Sequence, residues 1–220
     1  MRGSKAAPPL IREALYSDSS NLFSESGLDL HQNDIWEDLG DIEFSGEVAV
    51  ENFKKIKNSI KDLLASDQKL VALGGDHSIS WPILDAHLDI WNTLDILHID
   101  AHPDLYDNLL DNKFSHASPF ARIMETGRAN RLVQVGIRTL NKHQREQAEK
   151  FGVEIYQMRN LNELNAMTFS NPVYCSIDID ALDPAYAPGV SHFEPGGLST
   201  RQLIDCINGF RGQLIGADIV

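Results

Sequence analysis

The sequence predicts an α/β fold of three layers, α/β/α, with a mostly parallel central sheet. Three observations carry that expectation. Short runs rich in β-branched residues alternate with stretches whose apolar residues recur at helical spacing. The runs are apolar almost throughout, as in strands covered on both faces, rather than at every second position. Repeated strand–helix–strand units supply the crossovers that parallel strands need.

The elements follow in order. Pro8 to Tyr16 reads as a short helix, with Leu10, Ile11, Ala14 and Leu15 on one stripe. Ile35 to Ile42 is polar and reads as irregular. Glu47 to Ser66 is an amphipathic helix: Val48, Val50, Phe53, Ile56, Ile60, Leu63 and Leu64 recur at helical spacing, with lysines opposite. A strand at 69–73 and a glycine turn lead to a helix from Ile79 to Trp91, with Pro82 in its first turn, where proline is tolerated. A strand at 94–99 precedes a loop and a helix from Ser118 to Glu125. Then come a strand from Arg131 to Ile137, a helix from Lys142 to Phe151 and a strand from Val153 to Gln157. A strand at 173–177, a loop with Pro and Gly at 183–197, a helix from Thr200 to Phe210 and a strand from Gln213 to Val220 close the chain. No repeat, low-complexity tract or linker divides it, so residues 1–220 are expected to form a single domain.

Composition narrows the classes. At 220 residues, 42% hydrophobic and 23% charged, the chain can bury a proper core. A net charge of −13 argues against nucleic acid, whose phosphates need Lys and Arg. No apolar run approaches the roughly 18 residues that span a bilayer, and no signal segment opens the chain, so no membrane partner is expected. Cys175 lies in a strand run and Cys206 in a helix run, without ligand spacing. Both are expected to be buried thiols in a reducing compartment, with the cytoplasm as location.

Three clusters carry chemistry: Gly74-Gly75-Asp76-His77, Asp100-Ala101-His102-Pro103-Asp104, and Asp178-Ile179-Asp180 with Asp183-Pro184. Each directly follows a strand run, and ligands of parallel sheets bind beyond the carboxyl ends of the strands. In extended chain the side-chain period of two brings Asp100, His102 and Asp104 to one side. It likewise puts Asp178 and Asp180 on one face, with Ile177 and Ile179 packing on the other. The glycines before His77 permit close backbone approach or a positive φ. Together the clusters offer two imidazoles and four carboxylates, more negative charge than a buried pocket tolerates unpaired. That set is too large for one tetrahedral zinc and suits two six-coordinate-tolerant ions, manganese(II) best. Two such ions about 3.5–4 Å apart, bridged by a carboxylate, make hydroxide available at neutral pH.

Singly, each cluster is ordinary. Asp183-Pro184 reads as a turn opener, Asp76 as a group orienting His77, and His98 as either a support for a ligand or core. His31, His87 and His143 sit in polar contexts and read as solvated. The coincidence of three clusters at three strand ends is what favours a metal site.

With Gly-Gly-Asp-His-Ser (74–78), Asp-Ala-His-Pro-Asp (100–104) and Ser-Ile-Asp-Ile-Asp-Ala-Leu-Asp-Pro (176–184) in order, the chain resembles the ureohydrolases, the arginase/agmatinase family of dinuclear manganese enzymes. The stretch from Asp95 to Glu125 is most similar to plant-type arginases and their bacterial agmatinase-like relatives. The resemblance implies an arginase-like fold and a homo-oligomer, trimer or hexamer. It also implies hydrolysis of a guanidino compound, agmatine or arginine, to urea and an amine. One manganese would be held by His77, Asp100, Asp104 and Asp178, the other by Asp100, His102, Asp178 and Asp180. His116 matches the histidine that shuttles protons near the substrate, and Asp104 the aspartate that passes a proton to the departing amine.

Two departures follow from the same comparison. Animal arginases place an aspartate near the substrate α-ammonium where Gly136-Ile137-Arg138-Thr139-Leu140-Asn141 has Asn141, so arginine is not assumed. His192 and Glu194 lie in the loop that approaches the substrate in relatives, His192 being taken as a substrate contact. Relatives also have a strand before the segment matched by Arg2-Gly3, and continue past Ala217-Asp218-Ile219-Val220 into a glutamate that contacts the guanidinium. The domain is therefore expected to be incomplete at both ends. The alternative function is a non-catalytic fragment or remnant serving as a subunit or metal-binding scaffold. A zinc deacetylase of similar sheet topology would show a single-metal Asp/His/Asp set, against which the extra carboxylates count.

Overall fold

The computed structural model describes residues 3–32, 35–44, 49–64, 68–163 and 167–220. Glu47, Val48, Ala65 and Ser66 of the expected second helix, and Arg2, lie outside these. The helices are α1 (Ala7–Leu15), α2 (Ala49–Leu64), α3 (Ser80–Ile90), α4 (Pro119–Glu125), α5 (Lys142–Phe151) and α6 (Thr200–Gly209). The strands are β1 (Leu70–Leu73), β2 (Leu94–Ile99), β3 (Ala129–Ile137), β4 (Glu154–Gln157), β5 (Val173–Ile177) and β6 (Leu214–Ile219). Local chemistry sets many of the boundaries. Asn141 caps α5 by accepting from the Gln144 N–H, and Gly152 ends it in the left-handed region. Ser199 and Gln202 form a reciprocal capping box at the start of α6. Ile35 to Ile42 and the loop 183–197 are irregular, as expected.

The strands form one sheet in the order β1-β6-β5-β2-β3-β4, every pairing parallel. On one face Ile56, Ile60, Ile83, Leu84, Phe120 and Ile123 of α2, α3 and α4 pack against Leu94, Ile96 and Leu132. On the other, Leu203 and Cys206 of α6 pack against Leu97, Ile99, Val133 and Ile177. This is the three-layer α/β arrangement. Cys175 and Cys206 are both buried and unpaired. Burial raises both thiols, Cys206 to about 11, so neither is a ready nucleophile. No helix among the described residues is long and apolar enough to cross a membrane.

Chain order places the site. From β2 the chain runs outward to β3 and β4, then returns to β5 and β6 on the other side of β2. The order in which strands are added thus reverses between β2 and β5, where parallel sheets leave a crevice at the strand ends. Asp100 and Asp178 each immediately follow one of those two strands.

His87 departs from its expected solvated position, for it is fully buried. One turn after Ile83 on α3, its ring points at the sheet over Gly216, where an added Cβ would lie 2.5 Å from Nε2. The absent side chain makes room for the imidazole, which meets the Tyr174 ring edge-on with centroids 4.8 Å apart. His31 is exposed, and His143 stacks on Tyr106 with its side chain 42% accessible.

Candidate metal centre

His77 opens a short 3-10 turn after β1, capped by the Asp76 carboxylate, which accepts from the Ser78 N–H and hydroxyl. The Asp76 carboxylate thus orders the turn that carries His77 rather than bonding the ring. Neither glycine before it adopts a positive φ; Gly74 serves close approach, for a Cβ there would run into the Ile79 and Val220 side chains, whereas one on Gly75 would meet only ordinary contacts.

The His77 Nε2 lies 2.9 Å from Ser176 Oγ, and the Ser176 hydroxyl donates to Asp218 at 2.7 Å. A serine has one proton to give, so the hydroxyl accepts from His77 Nε2–H. Nδ1 is then the ring nitrogen turned toward three carboxylates, free to take a proton or a cation. Nδ1 stands 3.1 Å from Asp100 Oδ2, 3.1 Å from Asp104 Oδ2 and 3.5 Å from Asp178 Oδ2. It makes no aligned hydrogen bond to any of them and is fully buried. Carboxylate oxygens converging at this spacing repel one another unless positive charge, a proton on Nδ1 or a bound cation, lies among them. Neighbouring ligands of an octahedral ion with bonds of about 2.1 Å sit about 3 Å apart, which this set reproduces.

The second half lies across Asp100. His102 Nδ1 is 3.4 Å from Asp100 Oδ1 and 3.1 Å from Asp180 Oδ2. Asp100 therefore faces His77 with one oxygen and His102 with the other. Oxygens of Asp100, Asp178 and Asp180 lie within 4.8 Å of one another. Outside this group, His192 Nδ1 is 4.0 Å from Asp180, and its ring meets that of His102 edge-on with centroids 5.2 Å apart.

Convergence arises by a different route from the one period-two reasoning supplies. The chain does not run straight through 100–104. The Asp100 carboxylate accepts from the His102 N–H at 2.6 Å, and Asp104 adopts φ 48, a left-handed conformation that aspartate tolerates better than most residues. This bend sends Asp104 back to His77 while His102 goes to Asp180. Asp178 and Asp180 likewise meet through a 3-10 turn, in which Asp180 N–H donates to Asp178 Oδ1 at 2.8 Å. Ile179 consequently is 36% exposed instead of packing beside the buried Ile177.

The buried charges set one another's proton affinity. Burial would raise Asp100, yet His102, His77 and His98 hold it well below the usual carboxylate range. Burial and the Asp100 charge push Asp178 well up, and burial with Asp100 raises Asp180 against the pull of His102. Burial would depress both ligand-facing histidines, but the carboxylates outweigh it, raising His77 strongly and His102 to about 11. Hard oxygens with two imidazoles form a donor set suited to divalent cations.

Beneath this centre His98 takes the supporting place expected of it, while Asp218, Ser176 and Gln134 were not anticipated from the sequence. The four stand opposite one another across β6, β5, β2 and β3, all fully buried. Gln134 Nε2 is fixed by the Pro103 carbonyl at 2.6 Å and donates to His98 Nδ1 at 3.0 Å. His98 then carries its proton on Nε2 and donates to Asp100 Oδ2 at 2.8 Å. Burial depresses His98, in keeping with that neutral form, and a donor bonded to Asp100 is not a free ligand. The available signal was a polar residue inside each apolar strand run.

The remaining expected residues lie outside the cluster. His116 is half-buried in a turn whose Ala117 carbonyl accepts from the Tyr106 N–H. Asn141 uses its carbonyl as the α5 cap and its amide on Tyr106 Oη. Asp183 opens its turn as expected, accepting from Ala185 N–H at 3.0 Å.

Comparison with known proteins agrees with this architecture. A family model described as the Arginase family matches residues 1–220. Arginase 2, chloroplastic/mitochondrial, of Arabidopsis thaliana is 44% identical over 235 residues, covering 100% of this chain and 68% of the relative. The N(1)-aminopropylagmatine ureohydrolase of Thermus thermophilus is 38% identical over 183 residues, covering 79% of this chain and 61% of the relative. Among solved structures, the arginase from Medicago truncatula matches with a TM-score of 0.95 and 43% identity, over 100% of this chain and 74% of that one. With sequence and fold matched along the whole chain, the chain belongs to the arginase family.

Proposed function

We propose that this protein hydrolyses a guanidino compound, agmatine or arginine, to urea and an amine, using two manganese(II) ions. His77, Asp100, Asp104 and Asp178 would hold one ion, and Asp100, His102, Asp178 and Asp180 the other. The observation that supports this most is the His77 Nδ1, buried without a hydrogen bond among three carboxylate oxygens. When bound, such ions supply Lewis acidity and lower the pKa of water from about 15.7 toward about 7.

The chain's own groups do the rest. A guanidinium is resonance-stabilised, and its carbon accepts a nucleophile only when held in place beside it. Asn141 and His192 are the proposed contacts for the substrate. Carbon–nitrogen cleavage requires the amine to leave protonated. Asp104 is proposed to pass that proton at its carboxylate, and His116 to exchange protons with solvent. The fully buried row beneath keeps His77 and Asp100 in orientation, so the reacting groups need not reorganise during each cycle.

The test is urea release from agmatine, arginine, guanidinobutyrate and guanidine with manganese(II) supplied. Release from one of the first two is expected. Manganese-loaded protein that releases urea from none of the four would overturn the reading. Light scattering tests the proposed trimer or hexamer, and cell fractionation the proposed cytoplasmic location.

A further inference from the structure

Arg138 has no part in the chemistry above, yet it connects the pieces that carry it. Its guanidinium bonds no carboxylate among the described residues; it donates instead to backbone carbonyls of three segments. Nη2 donates to Asp180 at 2.8 Å and Leu182 at 3.2 Å, and Nη1 to Ala181 at 3.1 Å and, more weakly, to Gly136 at 3.4 Å. Nε and Nη2 both donate to the Glu194 carbonyl, at 3.0 and 2.8 Å. The Arg138 backbone N–H donates at 2.9 Å to Ala101, the residue between Asp100 and His102.

The loop is shaped to admit this. A Cβ on Gly197 would lie 2.7 Å from Arg138 Nη2 and 2.5 Å from the Asp183 nitrogen, so the loop closes on the guanidinium only because residue 197 has no side chain. Asp183 ties the far end, accepting from Gly196 N–H at 2.8 Å and Gly197 N–H at 3.2 Å. The consequence falls on one ring: His102 Nδ1 faces Asp180 at 3.1 Å, while its Nε2 faces the Glu194 carboxylate at 3.8 Å.

We propose that Arg138 is a positioning residue, a clamp that holds the loop 183–197 against the Asp180–Leu182 turn so that Asp180 and Glu194 face opposite nitrogens of His102. The proposal rests on reading His102 and Asp180 as metal ligands. It depends on the fork of the guanidinium and not on its charge. Lysine keeps the charge but presents its donors from a single atom, and cannot span carbonyls of the turn and the loop together.

The experiment compares the 220-residue chain with R138K and R138Q, titrating manganese(II) alone and following the free ion by electron paramagnetic resonance. Partners that orient a ligand typically alter metal affinity by about 10–100-fold. Both variants are expected to weaken one of two binding steps by about that factor and leave the other unchanged. Limited chymotrypsin digestion gives a readout independent of metal, with faster cleavage after Tyr186 or Phe193 expected in both variants. Wild-type affinity and protection in R138K would show that charge alone suffices and overturn the clamp. So would wild-type behaviour in R138Q. Failure of both variants to fold, judged by circular dichroism, would replace positioning with a general structural role. Wild-type protein that binds no manganese(II) would instead sink the metal reading, and the clamp would then stand or fall on the digestion.

Discussion

His77 and His102 approach the same Asp100 carboxylate from opposite sides, but what holds each ring differs. The His77 side chain is 2% accessible, and its outer nitrogen meets Ser176 in β5, itself fixed by Asp218 in β6. The His102 side chain is 22% accessible, and its outer nitrogen looks toward Glu194 in a long irregular loop. One half is anchored in the sheet, where register and core packing leave no freedom. The other depends on a loop whose position is set by a few hydrogen bonds. A centre built this way combines a fixed floor with a wall that sequence change in the loop can adjust.

The largest effect should come from the residue both halves share. Asp100→Asn is expected to lower urea release by more than about 10⁴-fold, beyond what one acid/base group contributes, with metal content measured in parallel. Full metal content and turnover in that variant would break the idea of a shared carboxylate. His116 belongs to neither half, so His116→Asn should keep the metal while turnover drops by roughly 10²–10⁴-fold. Loss of metal in that variant would assign His116 to the donor set.

Ser176→Ala removes the acceptor for His77 Nε2–H and should weaken manganese binding about 10–100-fold. Chymotrypsin cleavage in the loop 183–197 should not change. If it does, the sheet-held and loop-held halves are not separable.

Chelation probes both halves through pH. Without divalent ions, burial and Asp100 hold Asp178 up, and the carboxylates raise His102 to about 11 against burial. Groups with raised folded-state pKa stabilise fully below their unfolded values, 3.8 for Asp and 6.5 for His, and lose that contribution as pH rises through the folded values. EDTA-treated protein should therefore melt lower at about pH 8 than at about pH 6.5. Metal binding strengthens as ligands deprotonate, so the gain in Tm on adding manganese should widen over the same window. A gain that narrows instead would contradict the ligand assignment.

The smallest effect concerns Asn141, outside both halves. Asn141→Ala should cost about 1 kcal/mol through the lost α5 cap, read by urea denaturation. Asn141→Asp keeps a capping oxygen and should shift competition kinetics toward arginine over agmatine, since a carboxylate holds an ammonium better than an amide does. An unchanged ratio would remove residue 141 from the substrate contacts.

Much of this protein was legible in its sequence because the signals are local. Apolar runs marked the strands, with β2 and β5 at their expected bounds, and α5 covers the helix expected from Lys142 to Phe151. Three polar clusters after strand runs pointed to one end of a parallel sheet, because chain direction alone fixes which end that is. Periodicity reports which side of its own element a residue occupies and nothing about what stands opposite. The sequence therefore did not reveal that Asp104 turns back to His77 while His102 goes to Asp180, a split made by the left-handed bend at Asp104. Nor did it reveal that His87 enters the core over Gly216, or that Arg138 reaches across to Glu194. The row Asp218, Ser176, His98 and Gln134 exists only once the strands are ordered and in register, for its members come from four separate runs far apart in the chain. Composition and local pattern determined the elements and the chemistry at their ends. Strand order, register and backbone bends, which long-range packing selects, decided which side chains met.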